Sequence, residues 1–287
     1  MSNWQDYLAD KVEGTHTVVG TLKVLPRVWS PQLRNRRDLL VYLPPSYSRS
    51  SKHYPVIYMH DGQNLFDLFT SFAGEWQVDE TMEALSRRGY EAIIVGLPNQ
   101  GAQRLDEYSP FPQPRYSRGQ GARYIEFIVQ TVKPLIDRDF RTRPERAQTG
   151  IFGSSMGGLI SLYAFFCPPQ AFGLAGVMSP SLWFAQGRIF SYVEKAAFVP
   201  GKIYLDTGTH EQTHFTPTRP QLRAKLSEYQ STVHGMHDLL YQKGYRPGQD
   251  LLYVEEENGL HNEAAWARRL PAALEFLLSQ QTVDSNQ

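Results

Sequence analysis

The chain has 287 residues, 41% hydrophobic and 20% charged, enough to enclose one large core. Lys and Arg together number 29, as do Asp and Glu, so no net field draws the protein to nucleic acid or to an anionic membrane. One cysteine, Cys167, excludes an internal disulfide and a thiolate zinc cluster.

The opening MSNWQDYLADKVEG is polar and lacks the apolar core of a signal peptide. No apolar run approaches the roughly 20 residues of a membrane span. The expectation is a cytoplasmic protein folded as a single domain over 1–287, with its ordered core over 15–280. Residues 15–43 alternate apolar and polar positions and read as extended strands. PVIYMH (55–60) is a short apolar run suited to a buried parallel strand. EWQVDETMEALSRRG (75–89) has helical spacing at Val78, Met82 and Leu85, with Gly89 placed to end it. EAIIVGLP (91–98) reads as the next buried strand. Residues 99–121 form a stretch long enough for a lid over a site. The segment 122–140 carries Ile125, Ile128, Val132, Leu135 and Ile136 on one helical face, with Pro134 placed to kink it.

Strand and helix continue to alternate. RAQTGIFG (146–153), FGLAGVMSP (172–180), GKIYLDTG (201–208) and DLLYVEEE (250–257) read as strands. MGGLISLYAFFC (156–167) reads as a helix stopped by Pro168-Pro169. Helices are also predicted over 218–243 and from Asn262 to Leu278, the last with Trp266, Leu270, Ala273 and Leu277 on one face. Such alternation predicts an α/β fold with a mostly parallel central sheet, helices on both faces and antiparallel strands at the N-terminal edge.

The stretch GIFGSSMGGL (150–159) places two serines in a glycine-rich turn between a strand and a helix, the context of a nucleophile elbow. In that turn the residues two before and two after the nucleophile must be small. Ser155 is flanked at those positions by Gly153 and Gly157, Ser154 by Phe152 and Met156, so the pattern selects Ser155. The helix beginning beyond it supplies N–H groups where an oxyanion forms.

Among eight histidines, His16, His53 and His60 precede the serine, and His234 and His237 fall in a predicted helix. His261 lies in NGLHNEAAW, between the last strand and the last helix, where a general base can reach the same sheet edge. IYLDTGTHEQ offers two acids: Asp206 within the strand and Glu211 in the loop beyond, the latter better placed to project toward a histidine. Residues 210–214, HEQTH, also match the zinc-protease pattern H-E-x-x-H. Gly208 before it and Pro217 after it leave little room for the helix that pattern needs.

With VIYMHDGQNLFD (56–67), FAGEWQVDE (72–80), GSSMGG (153–158), SPSLWF (179–184), IYLDTGTHE (203–211) and GLHNEAAWARRLPAALEFL (259–277), the chain resembles the esterase D and enterochelin-esterase-like family of α/β-hydrolases from about Arg37 to Leu278. The resemblance implies an α/β-hydrolase fold and a carboxylic ester hydrolase that needs no metal or organic cofactor. It implies Ser155, His261 and Glu211 as the triad, and the backbone N–H groups of Gln63 and Met156 as the oxyanion hole. It further implies that Tyr108 and Trp183 line the substrate pocket, the partner being a small-molecule ester. An acyltransferase would use the same residues. A zinc protease acting through HEQTH, or a non-catalytic binding protein on the same scaffold, are the remaining alternatives.

Overall fold

A computed structural model describes residues 2–9, 16–211 and 219–279, with the backbone alone for 219–230. Near the N-terminus, β1 (Gln5–Asp6), β2 (Thr21–Ser30) and β3 (Asn35–Leu43) pair antiparallel, with a bulge in β2 between Leu25 and Val28 where Arg27 turns left-handed. The chain then alternates through β4 (Val56–His60), α1 (Val78–Ser86), β5 (Ile93–Leu97), α2 (Arg104–Tyr108), α3 (Gly121–Phe127) and α4 (Lys133–Asp139). There follow β6 (Thr149–Ser154), α5 (Met156–Phe166), β7 (Leu174–Met178) and α6 (Phe184–Lys195). The chain continues through β8 (Lys202–Gly208), α7 (Arg219–Gln242), β9 (Leu251–Glu256) and α8 (Glu263–Leu278). One nine-stranded sheet results, in the order β1-β2-β3-β5-β4-β6-β7-β8-β9, parallel from β5 to β9. β3 joins the parallel part by pairing antiparallel with β5.

Alternation along the strands divides the core. Leu39, Val41, Tyr58, Val95 and Ile151 pack on one face with side chains of α3, α5 and α6, whereas Leu40, Tyr42, Ile57, Ile94 and Phe152 pack on the other with α1 and α8. The helix expected over 122–140 is divided: α3 passes into a π-helical turn at Ile128–Val132 before α4. Pro134 has no N–H to continue an α-helical ladder, and the widened turn immediately precedes it. The stretch 99–121 carries α2, anchored by a buried ion pair from Arg37 to Glu107 at 2.8 Å. His214 and the rest of 212–218 lie outside the described residues. Among the described residues no helix is long and apolar enough to cross a membrane.

A parallel sheet brings the carboxyl ends of its strands to one edge, so the loops after β4, β6, β8 and β9 meet there. Gly176 in β7 lets the Phe152 ring lie against its backbone, and a methyl group at Gly176 would overlap that ring. Gly176→Ala is expected to lower unfolding free energy by about 1–3 kcal/mol in urea denaturation; an unchanged midpoint would contradict this packing.

Candidate active site

β6 ends at Ser154 and α5 begins at Met156, leaving Ser155 between them with φ 57° and ψ −120°. A non-glycine residue held there stores on the order of 1–3 kcal/mol, so its neighbours must fix it. They do: the Ser155 N–H donates to the Met178 carbonyl at 3.0 Å, and its carbonyl accepts from the Ser181 N–H at 3.0 Å. Ser154 is an ordinary strand residue paired with Met178. A Cβ at Gly153 would sit 2.8 Å from His60 Cδ2 and 2.9 Å from the Gly157 carbonyl carbon. At Gly157 the nearest contact, His60 Cβ, is an ordinary 3.4 Å, so the steric demand expected at both glycines falls chiefly on Gly153.

His261 Nδ1 lies 3.1 Å from Glu211 Oε2. The histidine is set in place by the start of α8, where the Asn262 side chain accepts the Ala265 N–H at 2.9 Å as N-cap. Its ring stands edge-on to Trp266. Glu211 is 5% exposed, and its Oε1 accepts the Gly208 N–H at 2.6 Å and the Ser179 hydroxyl. Asp206, the other candidate acid, points elsewhere: its oxygens accept the Ser179 N–H at 2.8 Å and the Tyr204 hydroxyl at 2.9 Å. Burial pushes the Asp206 carboxyl up to about 6, against the pull of Arg269. Glu211 is also the glutamate of HEQTH, and here its carboxylate contacts His261.

Ser155 and His261 border one cavity of about 850 Å³, together with Gln63, Phe72, Trp76, Arg104, Glu263 and Trp266. In this structure the Ser155 hydroxyl is hydrogen-bonded to Ser181 Oγ at 3.2 Å. Gln63 lies in the 3₁₀ turn Gly62–Asn64 after β4, its side chain accepting the Asn99 N–H at 3.1 Å, and Met156 is the first residue of α5. A helix's first N–H groups have no intrahelical acceptor. Tyr108, expected to line the pocket, is fully buried, and its hydroxyl accepts the Asp61 N–H at 3.0 Å. Trp183 is 52% exposed and outside the cavity lining. The aromatic walls are instead Phe72, Trp76 and Trp266. Arg104 lines the cavity and is held by Asp61, both contacts at 2.8 Å. Burial opposes ionisation of Asp61, yet Arg104 and Asn99 hold its carboxyl below the usual range.

Residues 30–277 match the family described as "Putative esterase". The chain belongs to that family. The esterase is 28% identical over 250 residues to the uncharacterized protein YbbA of Bacillus subtilis, covering 85% of this chain and 92% of that one. To the ferri-bacillibactin esterase BesA of the same organism it is 29% identical over 217 residues, covering 66% and 71%. Its fold matches the crystal structure of the BES protein from Bacillus cereus with a TM-score of 0.70 at 20% identity, covering 94% and 99%. Family and fold together make the protein an α/β-hydrolase-like hydrolase of carboxylic esters.

Beneath the His261–Glu211 pair lies a buried polar group that sequence patterning missed. Arg269 of α8, 5% exposed, stands 3.3 Å from Asp206 and 3.7 Å from Glu211. The Ser179 hydroxyl accepts from Arg269 Nη2 and Trp266 Nε1, each at 3.0 Å, which turns its own proton toward Glu211. The available signal was a charge next to Leu270 on the apolar face of the last helix. A buried cation requires a buried carboxylate. His60 was passed over for its place before the serine. It lies under the elbow, bonded through Nδ1 to the Tyr124 hydroxyl at 2.9 Å, and burial pulls its imidazole down to about 3, leaving it neutral.

Removing the Ser179 hydroxyl leaves two donors and a carboxylate oxygen short of a partner. Ser179→Ala is expected to lower kcat by about 10- to 100-fold with KM little changed, the equivalent of a hydrogen bond to a charged group. Steady-state kinetics checks this, and an unaltered kcat would contradict it.

Proposed function

We propose that the esterase is a serine hydrolase working through an acyl-enzyme, with Ser155 as nucleophile, His261 as general base and acid, and Glu211 as the triad acid. The observation that carries this reading is the 3.1 Å contact between Glu211 Oε2 and His261 Nδ1, in a cavity that also exposes the left-handed Ser155.

The contact leaves His261 Nε2 as the atom that exchanges protons with substrate and serine. Rotation of the Ser155 hydroxyl from Ser181 toward His261 precedes attack. As the Ser155 oxygen bonds to the ester carbonyl carbon, its proton passes to His261 Nε2, and Glu211 stabilises the imidazolium. The carbonyl oxygen becomes an oxyanion, received by the N–H groups of Gln63 and Met156. Collapse breaks the bond to the alcohol, which leaves with the proton from His261. Water, deprotonated by the same histidine, then releases the acid and restores Ser155.

The aromatic walls at Phe72, Trp76 and Trp266 favour an ester with a flat apolar portion, and the Asp61–Arg104 pair adds a polar patch to the same lining. Relatives named as siderophore esterases make siderophore esters the first substrates to examine, beside simple aryl esters.

Turnover of that ester panel by variants tests the assignment. Ser155→Ala and His261→Ala are each expected to lose on the order of 10⁶ in kcat. Glu211→Gln is expected to lose about 10⁴, and Ser154→Ala to retain substantial activity. A Ser155→Ala protein turning over as fast as wild type would rule out the mechanism.

A further inference from the structure

Glu75, in the loop before α1, and Asp79 and Glu80, in its first turn, each bring one carboxylate oxygen to within 4.8 Å of the others. Asp79 is fully buried. Its Oδ2 accepts the Val19 N–H at 2.7 Å, but its Oδ1 meets no N–H or hydroxyl, and the Glu80 carboxyl lies within hydrogen-bonding reach of the Asp79 side chain. Glu80 Oε2 likewise meets no N–H or hydroxyl and is also shut off from solvent. Both Glu75 oxygens lie 3.0 Å from a single donor, the Thr17 hydroxyl. Among the described residues no Lys, Arg or His makes an ion pair with any of the three.

Buried carboxylates nearer the active site have a cation or several donors among the described residues: Asp61 has Arg104 and Asn99, Glu107 has Arg37, and Glu211 has Ser179 and Gly208. Buried carboxylate oxygens without donors are costly, and like charges crowded together add to the cost. The partial positive charge at the start of α1 offsets about half of one carboxylate charge.

We propose that Glu75, Asp79 and Glu80 form a binding site for a hard divalent cation of the calcium type, separate from the catalytic residues. Separations up to 4.8 Å match the diameter of a calcium ligand sphere, whose radius is about 2.4 Å, so the three oxygens can close on one ion with little movement. Glu75 and Glu80 are half-buried, leaving water a path to complete the six to eight ligands that calcium takes. An all-carboxylate set without His or Cys disfavours zinc and copper.

The ion would act on stability and on the shape of the substrate cavity. Glu75 precedes Trp76, whose N–H donates to the Asn64 carbonyl at 2.8 Å and whose ring lines the cavity. Thr17 joins Glu75 to the Leu68 N–H, and Asp79 holds Val19. A cation here ties the loop bearing Phe72 and Trp76 to α1 and to residues 16–19.

The test is calorimetric titration of chelator-treated full-length protein with calcium chloride, magnesium chloride serving as comparison, followed by melting with and without millimolar calcium. Wild type is expected to bind one calcium per chain and to gain several degrees in Tm. Asp79→Asn should lose both responses, and Glu75→Gln should bind about tenfold or more weakly. Glu83→Gln, whose carboxylate bonds Tyr42 outside the cluster, should bind like wild type. Because Asp79→Asn exchanges a buried carboxyl for an amide of nearly the same size, its calcium-free Tm should stay close to that of calcium-free wild type, which separates a lost ligand from a lost fold. Wild type that binds no calcium and melts identically with and without it overturns the proposal in favour of a proton shared by Asp79 and Glu80. Undiminished binding by Asp79→Asn overturns it equally.

Discussion

The left-handed backbone at Ser155 is the constraint to which the rest of the active site answers. A serine prefers other conformations, so the surroundings must over-determine this one. The parallel ladder fixes β6 between β4 and β7, and Ser155 is then held by Met178 at the end of β7 and by Ser181 in the segment beyond it. No side chain at Gly153 stands between the elbow and His60. Because His60 is neutral and bonded to Tyr124, it fills the space under Ser155 without adding charge there. The strain thus follows from the sheet register, and exposing the serine at the strand's carboxyl end is its consequence.

The second theme is where charge is balanced. Asp206 and Glu211 are both buried and share one buried guanidinium, Arg269. Ser179 bridges them, giving its backbone N–H to Asp206 and its hydroxyl proton to Glu211. Its own φ of 39° permits this dual contact. One helix therefore supplies Trp266 and Arg269 as well as the cap that orients His261, so His261 and the support for Glu211 are set by a single packed element. Against this matched set, the unmatched carboxylates at the start of α1 stand out as an electrostatic exception close to the cavity wall.

Much of this was legible in the sequence because its signals are local. Apolar runs gave the strands of the parallel sheet, and helical spacing gave α1, α5 and α8 within a few residues. The elbow was legible because steric demands act at fixed offsets from Ser155. Position in the loop favoured Glu211 over Asp206, and the structure turns the former toward His261. What escaped depends on contacts distant in sequence. Tyr108 looked like a pocket residue, yet the Arg37–Glu107 pair and the Asp61 backbone draw its segment into the core. Ser179 and Arg269 are 90 positions apart, and no spacing rule joins them. The π-helical turn before Pro134 reflects a compromise between an apolar face that wants a helix and a residue that cannot donate.

The most direct test of the central claim is to treat the protein with a fluorophosphonate and locate the adduct by peptide mass spectrometry. The account predicts a single modified residue, Ser155, with labelling lost when His261 is replaced by Ala. An adduct on Ser154 or Ser181, or unmodified protein that still hydrolyses esters after exhaustive treatment, would contradict it.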